Sequence, residues 1–187
     1  MSDETFTFTK SKIEKYDIRW GRGEWAIFSI DEKTGLIQCH SSFGDWSYQW
    51  PNHGRKSLKH FILELERDWQ YLLGKVSDKV FDFEKSVKKW KRIILEDRRK
   101  YSIKKDEARE AYDLINDLDE SQGEYCYIKM MERSAVSNLS PDAWEVFSAV
   151  SVYPSQAITF AKTIWPMLCE IIRDEIKEKE AGENHEL

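Results

Sequence analysis

Asp45 is the carboxylate best placed for acid chemistry. It stands between Gly44 and the aromatic run Trp46, Tyr48 and Trp50. Partial burial beside rings raises a carboxyl's pKa toward the range of a general acid. Joined to His53 in the loop that follows, Asp45 would centre a hydrolase. The plainer reading is an Asx-type turn, with the Asp45 side chain bonded to its own backbone. Cys39 and His40 are adjacent, so on a strand they face opposite sides and share no metal. His53 and His60 would need two further ligands, and none stands at a recognisable spacing. Gly21-Arg22-Gly23 is a fragment of a glycine-rich loop without the remainder. The HExxH, GxSxG, GxxxxGK and GxGxxG signatures are absent from the sequence. These residues predict a non-enzymatic protein with no catalytic residue, no metal site and no cofactor.

Binding chemistry is better represented. Trp46, Tyr48 and Trp50 alternate with Ser47 and Gln49, which puts three rings on one face of a strand. Such a face stacks bases in RNA-binding sheets. Here the cations Arg55, Lys56 and Lys59 follow the rings and do not interleave them. The next helix also has an apolar face that must be covered, so core packing is the expected role. A second candidate is a run of cations. Lys85, Lys88, Lys89 and Arg92 fall opposite Phe83, Val87 and Trp90 on a helix, and Arg99 extends that face. Lys91, Arg98, Lys100, Lys104 and Lys105 keep the segment basic, and Asp106 to Glu124 is strongly acidic. Blocks of opposite sign ordinarily pair across neighbouring helices. In the functional reading, the basic face meets an acidic protein or phosphate, and the acidic face mimics nucleic acid. The candidate partner-binding residues are therefore Lys85, Lys88, Lys89, Arg92 and Arg99, with Asn52 and His53 in the earlier loop.

Alternation at period two predicts strands over Thr5–Thr9, Tyr16–Trp20, Trp25–Ile30, Leu36–Ser42 and Trp46–Trp50. Trp25–Ile30 is apolar on both faces and should be central, and Gly35 closes the hairpin loop after it. Ser57 should cap one helix running to Leu73, with Leu58, Phe61, Ile62, Leu65, Trp69, Leu72 and Leu73 inward and Gly74 as its C′ residue. Everything later reads helical. Phe83, Val87, Trp90, Ile94 and Tyr101 form one stripe. Ser102 should cap the next helix, with Ala108, Ala111, Tyr112, Ile115 and Leu118 buried. Ser121 and Glu124 have capping-box spacing, and Tyr125, Ile128, Met131 and Ala135 follow, with a strand over 124–131 as the alternative. Ser140-Pro141-Asp142 starts a helix carrying Trp144, Phe147 and Val150. The last stripe is Ile158, Ala161, Trp165, Leu168 and Ile172, and Pro166 should kink it. The expected class is α+β: a small antiparallel meander covered by a helix over 1–76, then a helical subdomain over 77–187.

The chain has 187 residues, 41% hydrophobic and 34% charged, with net charge −5. That charge neither demands nor excludes a nucleic-acid partner. No apolar run reaches the roughly 20 residues of a membrane helix. The N-terminus lacks a signal-peptide pattern, and three unpaired cysteines suit a reducing compartment. The expected location is the cytosol, with no membrane partner and no oligomeric state specified.

One stretch resembles a known group. Gly44, Asp45, Trp46, Tyr48 and Trp50, then Gly54, then Leu58, Lys59, Phe61 and Ile62, then Asp68, Trp69 and Lys75 follow its pattern of hairpin, aromatic strand, glycine loop and helix. Over residues 24–76 the chain resembles small accessory proteins of tailed phages and prophages of enteric bacteria. That resemblance implies no activity. It implies a phage-encoded protein that binds a host protein in the host cytosol, such as a defence or nucleic-acid-processing factor. Direct nucleic-acid binding by the basic face over 85–105 is the alternative, and hydrolysis at Asp45 and His53 the third reading.

Overall fold

Alternating residues build the sheet, and the sheet positions everything in the first part of the chain. The computed structural model describes residues 7–133 and 149–183. Strands β1 (Glu14–Trp20), β2 (Glu24–Asp31), β3 (Leu36–Ser41) and β4 (Gly44–Gln49) form an antiparallel meander in the order β1-β2-β3-β4. The register pairs Ile18 with Ala26, Phe28 with Cys39, and Cys39 with Trp46. Ala26, Phe28, Ile30, Ile37 and Cys39 therefore share one buried face. Gly35 closes the β2–β3 loop at a φ of +74°, and a Cβ there would collide with the Trp50 carbonyl oxygen. With the helices that follow, this architecture is α+β.

Two units divide the chain: Met1–Asp78 together with Tyr153–Leu187, and Lys79–Val152. In the first, α1 (Leu58–Leu65) and α2 (Trp69–Val76) cover the buried face of the sheet. Ser57 caps α1, accepting from the His60 N–H. The single helix expected over 57–73 is instead broken at 66–68. Arg67 and Asp68 bond back three residues, to the carbonyls of Glu64 and Leu65. The Asp68 carboxylate then accepts from the Tyr71 N–H at 3.1 Å and starts a new helix. Gly74 lies inside α2, two residues before its last residue Val76, and is not a C′ residue. The segment Thr7–Thr9, the described part of the expected first strand, forms no ladder, and Phe8 is 84% exposed. Strand propensity without a paired neighbour does not make a strand.

The C-terminal segment belongs to this unit, which corrects the boundary expected at residue 76. It comprises α6 (Ser155–Thr159), a π-turn (Phe160–Ile164) and α7 (Trp165–Glu183). Phe160, Ile164, Trp165, Leu168 and Ile172 are buried in the same cluster as Phe28 and Ile62. Their apolar stripe needs a cover, and the sheet core supplies it. The bend expected at Pro166 takes the form of the π-turn just before it. Pro166 has no N–H for the Lys162 carbonyl and crowds it, and the Trp165 N–H reaches back five residues to the Phe160 carbonyl.

In the second unit, β5 (Val80–Phe81) pairs antiparallel with β6 (Ser151–Val152). Helix α3 (Phe83–Arg99) is capped by Asp82, whose carboxylate accepts from the Lys85 N–H at 2.8 Å. Ser86, fully buried in α3, donates to the Asp82 carbonyl and accepts from the Val150 N–H. Helix α4 (Lys105–Asn116) opens with the Glu107 carboxylate accepting from the Lys104 N–H at 2.9 Å, so Ser102 is not its cap. Helix α5 (Gly123–Arg133) follows a short turn in which Asp119, not Ser121, supplies the capping oxygen. The core is Trp90, Ile94, Ile103, Ala108, Ala111, Ile115, Tyr127 and Met131. The stretch 124–131 is thus helical, but it buries Tyr127 and leaves Tyr125 exposed. The helix expected from Ser140, with Trp144 and Phe147, lies outside the described residues.

Candidate interaction face

The cations of α3 lie on one side because they recur at three, four and seven residues. Ser86, Trp90 and Ile94 occupy the opposite side and are buried. Lys85, Lys88, Arg92 and Arg99 are exposed, and Lys89 is partly so. All five line one open groove of roughly 690 Å³, together with Leu95 and Val150. The structure therefore brings together the whole cationic set picked from the sequence. Lys85 pairs with Asp82 at 2.9 Å and Arg92 with Glu96 at 3.7 Å. On α4, Arg109 pairs with Asp113 at 3.7 Å. These pairs lie within a helix or its cap, where exposed partners are worth about 0–1 kcal/mol.

A second groove runs between α3 and α4. Leu95, Arg98, Lys105, Arg109 and Tyr112 line it with Asp113. Leu95 is common to both grooves and 48% exposed. The Lys91 ammonium lies 5.4 Å from the Tyr112 ring centre.

Asn52 and His53 belong to the other unit. Asn52 is exposed in the turn after β4, and the His53 ring lies 6.0 Å from that of Phe61, its Nδ1 accepting from the Arg55 N–H. Asp45 is not brought to His53. It points to the open face of the sheet and pairs with His40 directly across the β3–β4 hairpin. Trp25 meets the His40 ring edge-on at 4.8 Å. Sequence spacing hid this pair, although the hairpin register, with Ser41 opposite Gly44, places His40 opposite Asp45. The neighbouring rings went the other way: Trp46 stacks on Phe160 at 5.1 Å and Trp50 is buried against Phe61. The aromatic strand is core.

Another charged cluster escaped the sequence reading. Lys59 in α1 is buried, and its ammonium contacts Glu14 at 2.5 Å and Glu175 at 2.8 Å. The Tyr16 hydroxyl lies within donating distance of the same two carboxylates, 2.7 Å from Glu14 and 3.0 Å from Glu175. Burial alone would lower the Lys59 pKa, but its bonds to Glu14, Glu175 and Tyr16 outweigh that and hold it above the ordinary value. Bonds from Lys59 and Tyr16 hold Glu14 below its ordinary value. Burial raises Tyr16 and pushes the thiols of Cys39 and Cys169 up to about 12. Among the described residues, no three His, Cys, Asp or Glu side chains gather as metal ligands would. Among the same residues, no helix is long and apolar enough to cross a membrane.

No curated protein and no solved structure matches the chain. A family model described as a phage family matches residues 4–174. That span takes in the four-stranded sheet and its covering helices, the whole of α3, α4 and α5, and the first turns of α7, so the chain belongs to this family of phage proteins.

Proposed function

We propose that this phage protein is a non-enzymatic binding protein that acts on an acidic surface of a host protein through the basic face of α3, in the host cytosol. The observation that carries the reading is the groove in which Lys85, Lys88, Lys89, Arg92 and Arg99 converge while the apolar side of the same helix is spent on the core. A cationic set of this kind does little for folding and much for encounter with an acidic partner. Inhibition of a defence or nucleic-acid-processing factor is the role such an adaptor would play.

The test is capture from host lysate by the wild-type chain and by a variant with Lys85, Lys88, Lys89 and Arg92 all changed to Gln. A host protein held by the wild type and lost from the variant supports the reading. Equal capture by both removes the α3 face from it. Nuclease-sensitive capture with a steep salt slope would identify a nucleic-acid binder instead.

A further inference from the structure

Helix α3 ends in a way that folding alone does not call for. The Tyr101 N–H bonds the Arg98 carbonyl at 3.2 Å and the Ser102 N–H bonds the Asp97 carbonyl at 2.9 Å. That is a Schellman ending with Tyr101 at the C′ position, where glycine is usual. Tyr101 has a φ of +57°, unlike every other described non-glycine residue, and a bulky side chain is disfavoured there. Its ring is 86% exposed, so core packing does not offset that cost. The Arg98 guanidinium lies 5.7 Å from the ring centre. One turn earlier, Leu95 stands half exposed between the two grooves. Arg92 and Arg99 flank it in one groove, Arg98 and Arg109 in the other. Tyr and Arg are among the residue types that anchor protein interfaces, and a strained backbone position is often kept for function.

Resting on the reading of α3 as a partner face, we infer that its C-terminal end, Leu95 with Arg98, Arg99 and Tyr101, docks an acidic amphipathic helix of the partner. The partner's apolar stripe covers Leu95 and Tyr101, and carboxylates on either side of that stripe meet the cations of the two grooves. A helix fits because an apolar stripe flanked by acids matches Leu95 with cations in the groove on either side of it. A phosphate backbone offers nothing apolar for Leu95, which both grooves share.

The probes are two synthetic helix-forming peptides of equal charge, both Glu-rich, one with a Leu stripe and one with Ala in its place, and a DNA duplex. Binding to the full chain is read by fluorescence anisotropy at low and high salt. Wild type should prefer the Leu peptide by about tenfold, the value of burying part of one large apolar side chain. Leu95→Ala should cut that preference several-fold while leaving the Ala peptide's affinity unchanged. Tyr101→Gly should raise the melting temperature and yet weaken the Leu peptide several-fold, a combination that a structural role would not produce. Equal affinity for both peptides, a preference for the duplex, or Tyr101→Gly binding as wild type would overturn the inference. If the peptides bind equally and the four-Gln variant loses both, only the docking inference fails. If wild type binds neither peptide, or the four-Gln variant binds both unchanged, the basic-face reading fails with it.

Discussion

Lys59 and Lys88 are lysines on amphipathic helices of one chain, and their surroundings are opposite. Lys59 is buried, with Glu14 from β1 and Glu175 from α7 on its ammonium and the Tyr16 ring 5.8 Å from it. Lys88 stands exposed on a groove wall with Lys85, Lys89 and Arg92 as neighbours. A lysine's charge says little about its role. What decides is whether the fold answers the charge. Lys59 is answered by two carboxylates far apart in sequence, which makes it a clamp between strand and helices. The α3 cations are gathered on one surface, where the pairs of Lys85 and Arg92 stay exposed to solvent.

The sharpest way to break this comparison is to remove the clamp. Lys59→Ala takes from Glu14 and Glu175 the ammonium they share and opens space beside Tyr16. Breaking a buried pair costs about 3–5 kcal/mol; the partial exposure of both carboxylates should reduce this to about 2–3 kcal/mol. Lys59→Met keeps the stem packing and should cost about half as much. Urea unfolding measures both. A Lys59→Ala loss under about 0.5 kcal/mol would put Lys59 in the same class as the α3 lysines.

The clamp also predicts the pH dependence. Glu14 is held down in the folded state, so its contribution is present above its ordinary pKa of 4.5 and is lost as pH falls through the lower folded value. Lys59 and Tyr16 are both raised in the folded state. Their contributions are intact below their ordinary values of 10.5 and 10.0 and are lost as pH rises beyond them. The clamp's own contribution should therefore be flat between these limits and fall on both sides. In Lys59→Met the alkaline fall should be shallower. Melting temperature against pH is the measurement, and an unchanged alkaline limb in that variant would deny Lys59 its part.

A smaller effect is expected at Pro166, in the same unit. The π-turn at Phe160–Ile164 already absorbs the missing donor. Pro166→Ala should change stability by no more than about 1 kcal/mol, because the bend no longer has to be forced. A loss of several kcal/mol would show that the proline itself holds Phe160 and Trp165 in the core.

These contrasts explain what was legible from residues alone. Period-two alternation is local, so β1 to β4 could be read directly, and so could the inward rings of Trp46 and Trp50. So could the α3 face, since helical spacing alone gathers Lys85, Lys88, Arg92 and Arg99. Lys59 read as one surface cation among several because its partners are Glu14 and Glu175, set by tertiary packing. The break before Asp68 was hidden by an apolar stripe that continues across it. Asp45 looked like an acid beside aromatic rings until the hairpin register gave it His40. The return of the last helix to the sheet depends on which of two cores accepts its stripe, and no local signal carries that choice.

The smallest stability effect is the most informative. Changing Lys85, Lys88, Lys89 and Arg92 to Gln removes four cations from a solvated face. Lys85 and Arg92 take part in exposed pairs, with Asp82 and Glu96, each worth about 0–1 kcal/mol. Against that loss stands relief of like-charge repulsion at three- and four-residue spacing, about 0.2–0.5 kcal/mol per pair. The two should nearly cancel and leave the melting temperature within a degree or two of wild type. The Asp82 cap of α3 survives, because it rests on the Lys85 backbone N–H and not on the side chain. Association should respond differently. Four fewer cations weaken steering of an acidic partner, so the on-rate should fall at low salt and converge with wild type as screening shortens the reach of charge to about 3 Å at 1 M salt. Stopped-flow association across a salt series reads this directly. Salt-independent rates that match wild type throughout would make the α3 face plain solvated surface, and the contrast with Lys59 would reduce to burial alone.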